Sequence, residues 1–381
     1  MSAAPLAAPP SLYAAPAVRL RSSRARGDIA VLKPSTYALI AGTLLAVSVS
    51  ASESPSSSTA PLPRHLRDTG LFVAGSATEV RPENLPFSPQ YPLWSDGAKK
   101  RRWLYLPPGT TIDASHADAW EFPRGTRLWK EFSYDRPVET RYIERLPDGS
   151  WRFASYIWND AGTDAELAPA AGVPQLSTAQ TPGGRYAIPS QEDCRACHEG
   201  AAVPVLGASA LQLSTERDSL APHADPQNAD TVDLRELVAR GLVENLPASL
   251  ADHAPRIVAS NAAERAALGY LHGNCGHCHN DAGPLASLDF SLAQSVTDAR
   301  ASFTRTLRST VNEPSQFVVR NISHRVVRGR ADASVLALRM RSRDPLIQMP
   351  PLGTHLADTE AITLIERWIN QDLPPQQESA P

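Results

Sequence analysis

No apolar run in the sequence approaches the ~20 residues needed to span a bilayer. The run Tyr37–Val49 has 13. A net charge of −3 provides no excess of basic residues, which argues against a broad nucleic-acid footprint. There is no Gly-rich phosphate loop, no nucleophile elbow and no His-Glu-x-x-His pattern, so nucleotide-binding and hydrolase readings find no support. Methionine and cysteine are both rare, at three and four residues. With 42% apolar and 20% charged residues, the chain is neither a membrane bundle nor a disordered polyampholyte.

Proline is abundant: 34 of 381 residues, which predicts many loops and short strands. The length suits two or three domains. Near the start, Arg19, Arg21, Arg24, Arg26 and Lys33 face a single acid, Asp28. The apolar run follows, then Val49-Ser50-Ala51, with small residues at the −3 and −1 positions of a cleavage site. This order predicts a secretory signal over residues 1–51, with an uncleaved anchor as the alternative. No Cys follows the run, which excludes a lipoprotein anchor, and Val31 would give a start of more usual length. Removing this segment takes away five bases and one acid, so the exported chain is more acidic and has no stable membrane span. The expected location is the periplasm.

Residues 52–63 are rich in Ser and Pro and read as a flexible linker. Residues 64–189 hold six of the seven Trp, all between Trp94 and Trp158. Strands are predicted at Arg102–Leu106, Leu128–Tyr134, Arg141–Leu146 and Trp151–Trp158, with a turn at Pro147-Asp148-Gly149-Ser150. This pattern predicts a β-rich, sandwich-like domain with an aromatic core. Beyond Ser190 the spacing predicts helices over Leu234–Asn245, Asn261–Asn274 and Thr359–Asn370, the last capped by Asp358. The expected fold class is therefore multidomain α+β, with a mainly α-helical C-terminal region.

The four cysteines fall as Cys194-Arg195-Ala196-Cys197-His198 and Cys275-Gly276-His277-Cys278-His279. This is the spacing of c-type haem attachment. Two thiols three residues apart reach the two vinyl groups of one porphyrin, and the following imidazole points at the iron. The expectation is two covalently bound haems c, with His198 and His279 as iron ligands. A zinc tetrathiolate fits poorly, because 77 residues separate Cys197 from Cys275 against the ~12–20 of a ribbon. Disulfides leave both His unexplained.

Met349, in a Met-Pro-Pro 70 residues beyond His279, is the natural sixth ligand of the second haem. A thioether ligand raises the reduction potential. Met340 reads as a core residue, and the Pro284 carbonyl is placed to accept the free ring N–H of His279. The first motif has no obvious distal partner. His116, His223, His253, His272 and His324 are candidates, and a five-coordinate iron is the alternative. His65, His277 and His355 read as ordinary solvated histidines. The run Lys99–Arg102 reads as a charged sheet edge, or as a contact for an acidic partner or haem propionates.

The chain resembles a bacterial family of exported dihaem c-type cytochromes from Leu85 to Leu373. The resemblance rests on YPLWSDGAKKRRWLYLPPGT (91–110), FPRGTRLWKEF (122–132) and YIWNDAGTDA (156–165). It continues in QEDCRACHEG, GYLHGNCGHCHN and RGRADASVLALRM leading to QMPPLG. It implies haem binding and electron transfer between redox proteins. Some relatives work with quinoprotein-type dehydrogenases, so a periplasmic dehydrogenase is an expected partner. Residues 190–255 then form a first haem-binding segment and 256–381 a cytochrome c domain. A peroxidase-like enzyme with an open first haem, or a binding module for a dehydrogenase, is the alternative, and no acid/base pair beside Cys194–His198 can be assigned.

Overall fold

A computed structural model describes residues 60–225 and 230–374. The expected signal at 1–51 and most of the linker at 52–63 lie outside these residues. The first half contains β1 (Leu85–Pro86), β2 (Lys99–Tyr105), β3 (Ile112–Asp113), β4 (Arg127–Ser133), β5 (Pro137–Arg145), β6 (Trp151–Trp158), β7 (Ala165–Leu167), β8 (Val173–Ser177) and β9 (Arg185–Ile188). A six-stranded antiparallel sheet runs β1-β2-β4-β5-β6-β7. Strand β6 occupies the predicted span, and Gly149 takes φ 91° in the β5–β6 turn, where Leu146 N–H bonds the Ser150 carbonyl at 2.8 Å.

Alternation along the strands divides the apolar side chains between the two faces. On one face Trp103, Trp129 and Tyr142 lie in register and pack with Tyr156, Trp158, Leu66, Leu71 and Phe72. The polar tips of these aromatics are satisfied: Trp129 Nε1 donates to Thr69 Oγ1, Trp158 Nε1 to Thr140 Oγ1 and Tyr156 OH to the Pro63 carbonyl, each at 2.9 Å. On the other face Leu104 and Leu128 pack with Ile112, Phe122 and Leu213, while Phe132 packs with Tyr186 and Ile188.

The sandwich expectation is corrected. Among the described residues the remaining sheets are two-stranded, so the large sheet has no partner of similar size. The N-terminal segment covers one face, and loops with short elements cover the other.

The second half contains α1 (Gln191–His198), α2 (Leu234–Ala239), β10 (Val243–Glu244), α3 (Ala248–Asp252), α4 (Ala262–Asn274), α5 (Ala299–Thr310), β11 (Pro314–Val319), β12 (Ile322–His324), α6 (Val335–Arg341) and α7 (Thr359–Arg367). Helices occupy a minority of this region, which corrects the expectation of a mainly α-helical one. The reason is visible at α2. Gly241 adopts φ 66°, and Leu242 N–H bonds the Leu237 carbonyl at 2.9 Å, closing the helix six residues early. The chain then extends as β10 and pairs in parallel with β3. Helices α4 and α7 begin where predicted, capped by Asn261 and Asp358. They meet in a core of Leu268, Leu271, Ile365, Trp368 and Ile369. No helix of the described residues is long and apolar enough to cross a membrane.

Candidate functional site

Both Cys-x-x-Cys-His motifs are set by helix ends. Ser190 and Asp193 form a reciprocal cap at the start of α1: Asp193 N–H donates to Ser190 Oγ at 3.0 Å and Ser190 N–H to Asp193 Oδ2 at 2.9 Å. Cys194, Cys197 and His198 then project from one short helix. The second motif follows α4 directly. Cys275 N–H closes the helix on Leu271 O at 2.9 Å, and His279 N–H bonds Cys275 O at 2.8 Å, winding the motif into a further turn. All four cysteines are free thiols.

The motifs are far apart in sequence and adjacent in space. Cys197, His277 and Cys278 place their ligating atoms within 4.8 Å of one another. Asn280 clamps the two segments, because its Nδ2 donates to Gly200 O at 2.9 Å, Gly276 O at 3.0 Å and His277 O at 3.1 Å. The contact requires glycine. A Cβ on Gly283 would stand 2.4 Å from Gly200 O, and one on Gly200 would stand 2.9 Å from His277 O. Nothing in the local pattern announces this clamp, and His277, expected to be solvated, lies within it.

Burial sets the protonation states. It holds the Cys194 thiol up at about 11 and the Cys275 thiol up at about 12. Cys197 and Cys278 share a thiol hydrogen bond that lowers Cys197 and raises Cys278. Desolvation presses His198 and His279 down to about 4, so both rings are neutral near pH 7, the form that binds a metal. His198 Nδ1 lies 2.5 Å from the Pro204 carbonyl. A carbonyl only accepts, so Nδ1 carries the proton and the Nε2 lone pair is free. The ring rests on Phe153 of β6, with centroids 5.2 Å apart.

The second motif opens into a cavity of about 580 Å³ lined by Cys275, Cys278, His279 and Pro284 together with Met349 and Met340. Met349 N–H bonds Arg339 O at 3.1 Å, which fixes its loop to α6. Met340 is buried in the core formed by α4 and α7 and also borders this cavity. The expected bond from His279 to Pro284 is absent: His279 Nδ1 is buried without a partner, and its ring lies 4.8 Å from Phe290. The carbonyl-orienting role assigned to Pro284 is thus filled at the other motif, by Pro204.

Among the proposed distal ligands, His116, His253 and His324 are exposed. His223 stacks on Trp94 at 4.7 Å, and its Nε2 lies 2.8 Å from Asp358 Oδ1. His272 Nδ1 accepts the Gln294 N–H at 3.0 Å. The basic run Lys99–Arg102 is divided by alternation: Arg101 pairs with Glu131 on one face, and Arg102 with Asp225 on the other.

No family model, curated protein or solved structure shows significant similarity to the chain.

Proposed function

We propose that the protein is an exported dihaem c-type cytochrome that passes single electrons between redox proteins. The observation that carries this reading is the meeting of two Cys-x-x-Cys-His motifs, 77 residues apart in sequence, around Cys197 and Cys278. The four thiols are free, both histidines are neutral, and both second-motif cysteines open on the cavity that Met349 borders. Bound there, haem c supplies a one-electron iron couple on a covalent tether.

The residues of the chain perform the remaining tasks. Cys194 and Cys197 hold one group, and Cys275 and Cys278 the other. His198 offers Nε2 while Pro204 keeps its tautomer. His279 and Met349 are the ligand pair of the second site, a combination that favours the reduced iron. Most of the cavity wall is apolar, with Leu288, Phe290, Leu292 and Ile362 among its residues. Contact between the motifs brings the two groups side by side, so an electron entering at one passes to the other within the chain. The partners are redox proteins of the periplasm, a dehydrogenase among them, with no role for nucleic acid or a membrane span.

The cluster Cys197–His277–Cys278 favours a second reading, a zinc site, since two thiolates and an imidazole suit that ion. A redox titration of periplasm-matured protein separates the two. Two reversible one-electron steps with haem absorption support the cytochrome. Colourless protein that carries zinc and takes up no electrons overturns it.

A further inference from the structure

The cavity of about 580 Å³ at the second motif is mostly apolar, yet Arg325, Arg339, Arg343 and Asp358 also line it. Three cations against one acid leave its wall with a formal surplus of two positive charges. The acid is already engaged. Asp358 Oδ1 lies 2.8 Å from His223 Nε2 and accepts the Ala361 N–H at 3.1 Å as the cap of α7. Among the described residues none of the three guanidinium groups pairs with a carboxylate; their acceptors are carbonyls and one hydroxyl. Desolvation accordingly presses all three below the ordinary arginine value.

Two of the three are held by the backbone. Arg325 donates to Leu288 O at 2.7 Å and to Asp289 O at 2.8 Å. Its guanidinium lies 4.9 Å from the Phe290 ring, the ring that stands 4.8 Å from His279. Arg343 donates to Thr354 Oγ1 at 3.1 Å, Met340 O at 2.6 Å and Met349 O at 3.4 Å, which sets its charge beside the methionine loop. Arg339 differs. Its Nε donates to Ile347 O at 2.7 Å, and its guanidinium stacks on Phe317, another residue of the wall, at 4.2 Å. Its two Nη groups form no hydrogen bond among the described residues and, unlike Arg343 Nε, are not sealed from solvent. The charges of Arg339 and Arg325 both act on the His279 ring.

We infer that the open fork of Arg339 receives a carboxylate of the group attached at Cys275 and Cys278, namely a haem propionate. This rests on the cytochrome reading above. Haem carries two propionates, which equals the surplus charge of the wall. The paired N–H groups of a guanidinium match the two oxygens of a carboxylate, and a desolvated cation gains the counter-charge it lacks. Arg325 and Arg343 add to the positive field while their donors stay on the backbone. Arg339 is then a positioning residue that holds the group and does not ligate iron.

The test is Arg339→Gln in periplasm-matured protein, with haem counted per chain and both reduction potentials followed spectroelectrochemically. Resonance Raman reads the propionate bending vibration, which drops in frequency when the carboxylate loses its hydrogen-bond donors. Loss of the guanidinium also leaves the propionate charge uncompensated, which favours ferric iron. The expected result is two haems per chain, an unchanged first potential and a lowered vibration. The second-haem potential should fall by a tenfold shift in its oxidised-to-reduced ratio, ~59 mV for one electron. Arg339→Lys, a milder change for use if Arg339→Gln fails to mature, keeps the charge and loses the fork. There the potential should hold and the vibration still drop. Two haems with an unmoved vibration overturn the seat even if the potential falls, since the potential alone reports a lost charge; the cytochrome reading then stands. Loss of a methionine–iron charge-transfer band seen in the parent also overturns it, because Arg339 would then act through the Met349 loop. So does failure of both variants to load the second haem, since Arg339→Lys retains the charge. A wild-type protein without haem at Cys275 and Cys278 ends both readings.

Discussion

Asn274 is the last residue of α4 and immediately precedes Cys275. Its buried side chain locks the loop after β1 onto the helix that carries the second motif. Oδ1 accepts the Trp94 N–H at 2.7 Å, while Nδ2 donates to Pro92 O at 3.2 Å and Tyr270 O at 3.1 Å. Asn274→Ala removes all three bonds and adds no group to replace them. At about 0.5–1.5 kcal/mol each, with the Trp94 N–H left short of an acceptor, the loss is about 2–4 kcal/mol. At roughly 2–4 °C per kcal/mol for a domain of this class, calorimetry should find melting lowered by about 4–16 °C. Asn274→Asp keeps the acceptor for Trp94 and loses both donors. It also sets a carboxylate against the Pro92 and Tyr270 carbonyls, so it too should melt below the parent. An Asn274→Ala protein melting within ~1 °C of the parent would refute the view that this side chain fastens the loop to the helix.

Further outcomes follow from the site and its surroundings. Met349→Ala should lower the second-haem potential, by more than the ~59 mV of a tenfold change in a one-electron equilibrium, and abolish any methionine–iron charge-transfer band. An unchanged potential in spectroelectrochemistry would remove Met349 from the ligand set. Burial lowers His272 from 6.5 to about 4. Between those values the unfolded chain takes up a proton at this ring and the folded protein does not. The stability contributed is therefore present above pH 6.5 and lost as pH falls toward about 4. Urea midpoints should decline over that range, and His272→Gln should flatten the decline; an equally steep curve in the variant would contradict the assignment. Ile365→Ala, at a fully buried position between α4 and α7, should cost about 2–5 kcal/mol in urea unfolding. A cost below ~1 kcal/mol would show that the site collapses on itself.

Local patterns made much of the first half legible. Strand β6 matches its predicted span because Trp151–Trp158 is bounded by a Pro-Asp-Gly-Ser turn on one side and Asn159 on the other. Strands β2, β4 and β5 begin or end a few residues from expectation, since alternation identifies a strand better than its limits. Helix α4 was marked by its apolar spacing and α7 by Asp358 as its cap; Asn261, read as the first residue of α4, is its cap. The missed features depend on distant partners. Strands β3 and β10 are two residues each and exist only because 112–113 and 243–244 meet. The sandwich reading failed because short strands with Pro and Gly turns are equally compatible with one broad sheet dressed by loops.

The site was legible in its residues and not in its arrangement. Spacing alone selected Cys194, Cys197, His198, Cys275, Cys278 and His279; Met349 and Pro284 border the second motif's cavity, but the Pro284 carbonyl does not meet the His279 ring. The approach of Cys197 to Cys278 depends on Asn280, Gly200 and Gly283, none of which looks special in the chain. The convergence of Arg325, Arg339 and Arg343 on the second motif's cavity is invisible before the fold is known.

The central claim is that both thiol pairs bear a tetrapyrrole. Intact mass spectrometry of periplasm-matured protein tests it most directly. The account predicts one species heavier than the polypeptide by two haems, reduced by one haem in a Cys275→Ser/Cys278→Ser variant. A bare polypeptide mass, or an added mass of zinc alone, would contradict it.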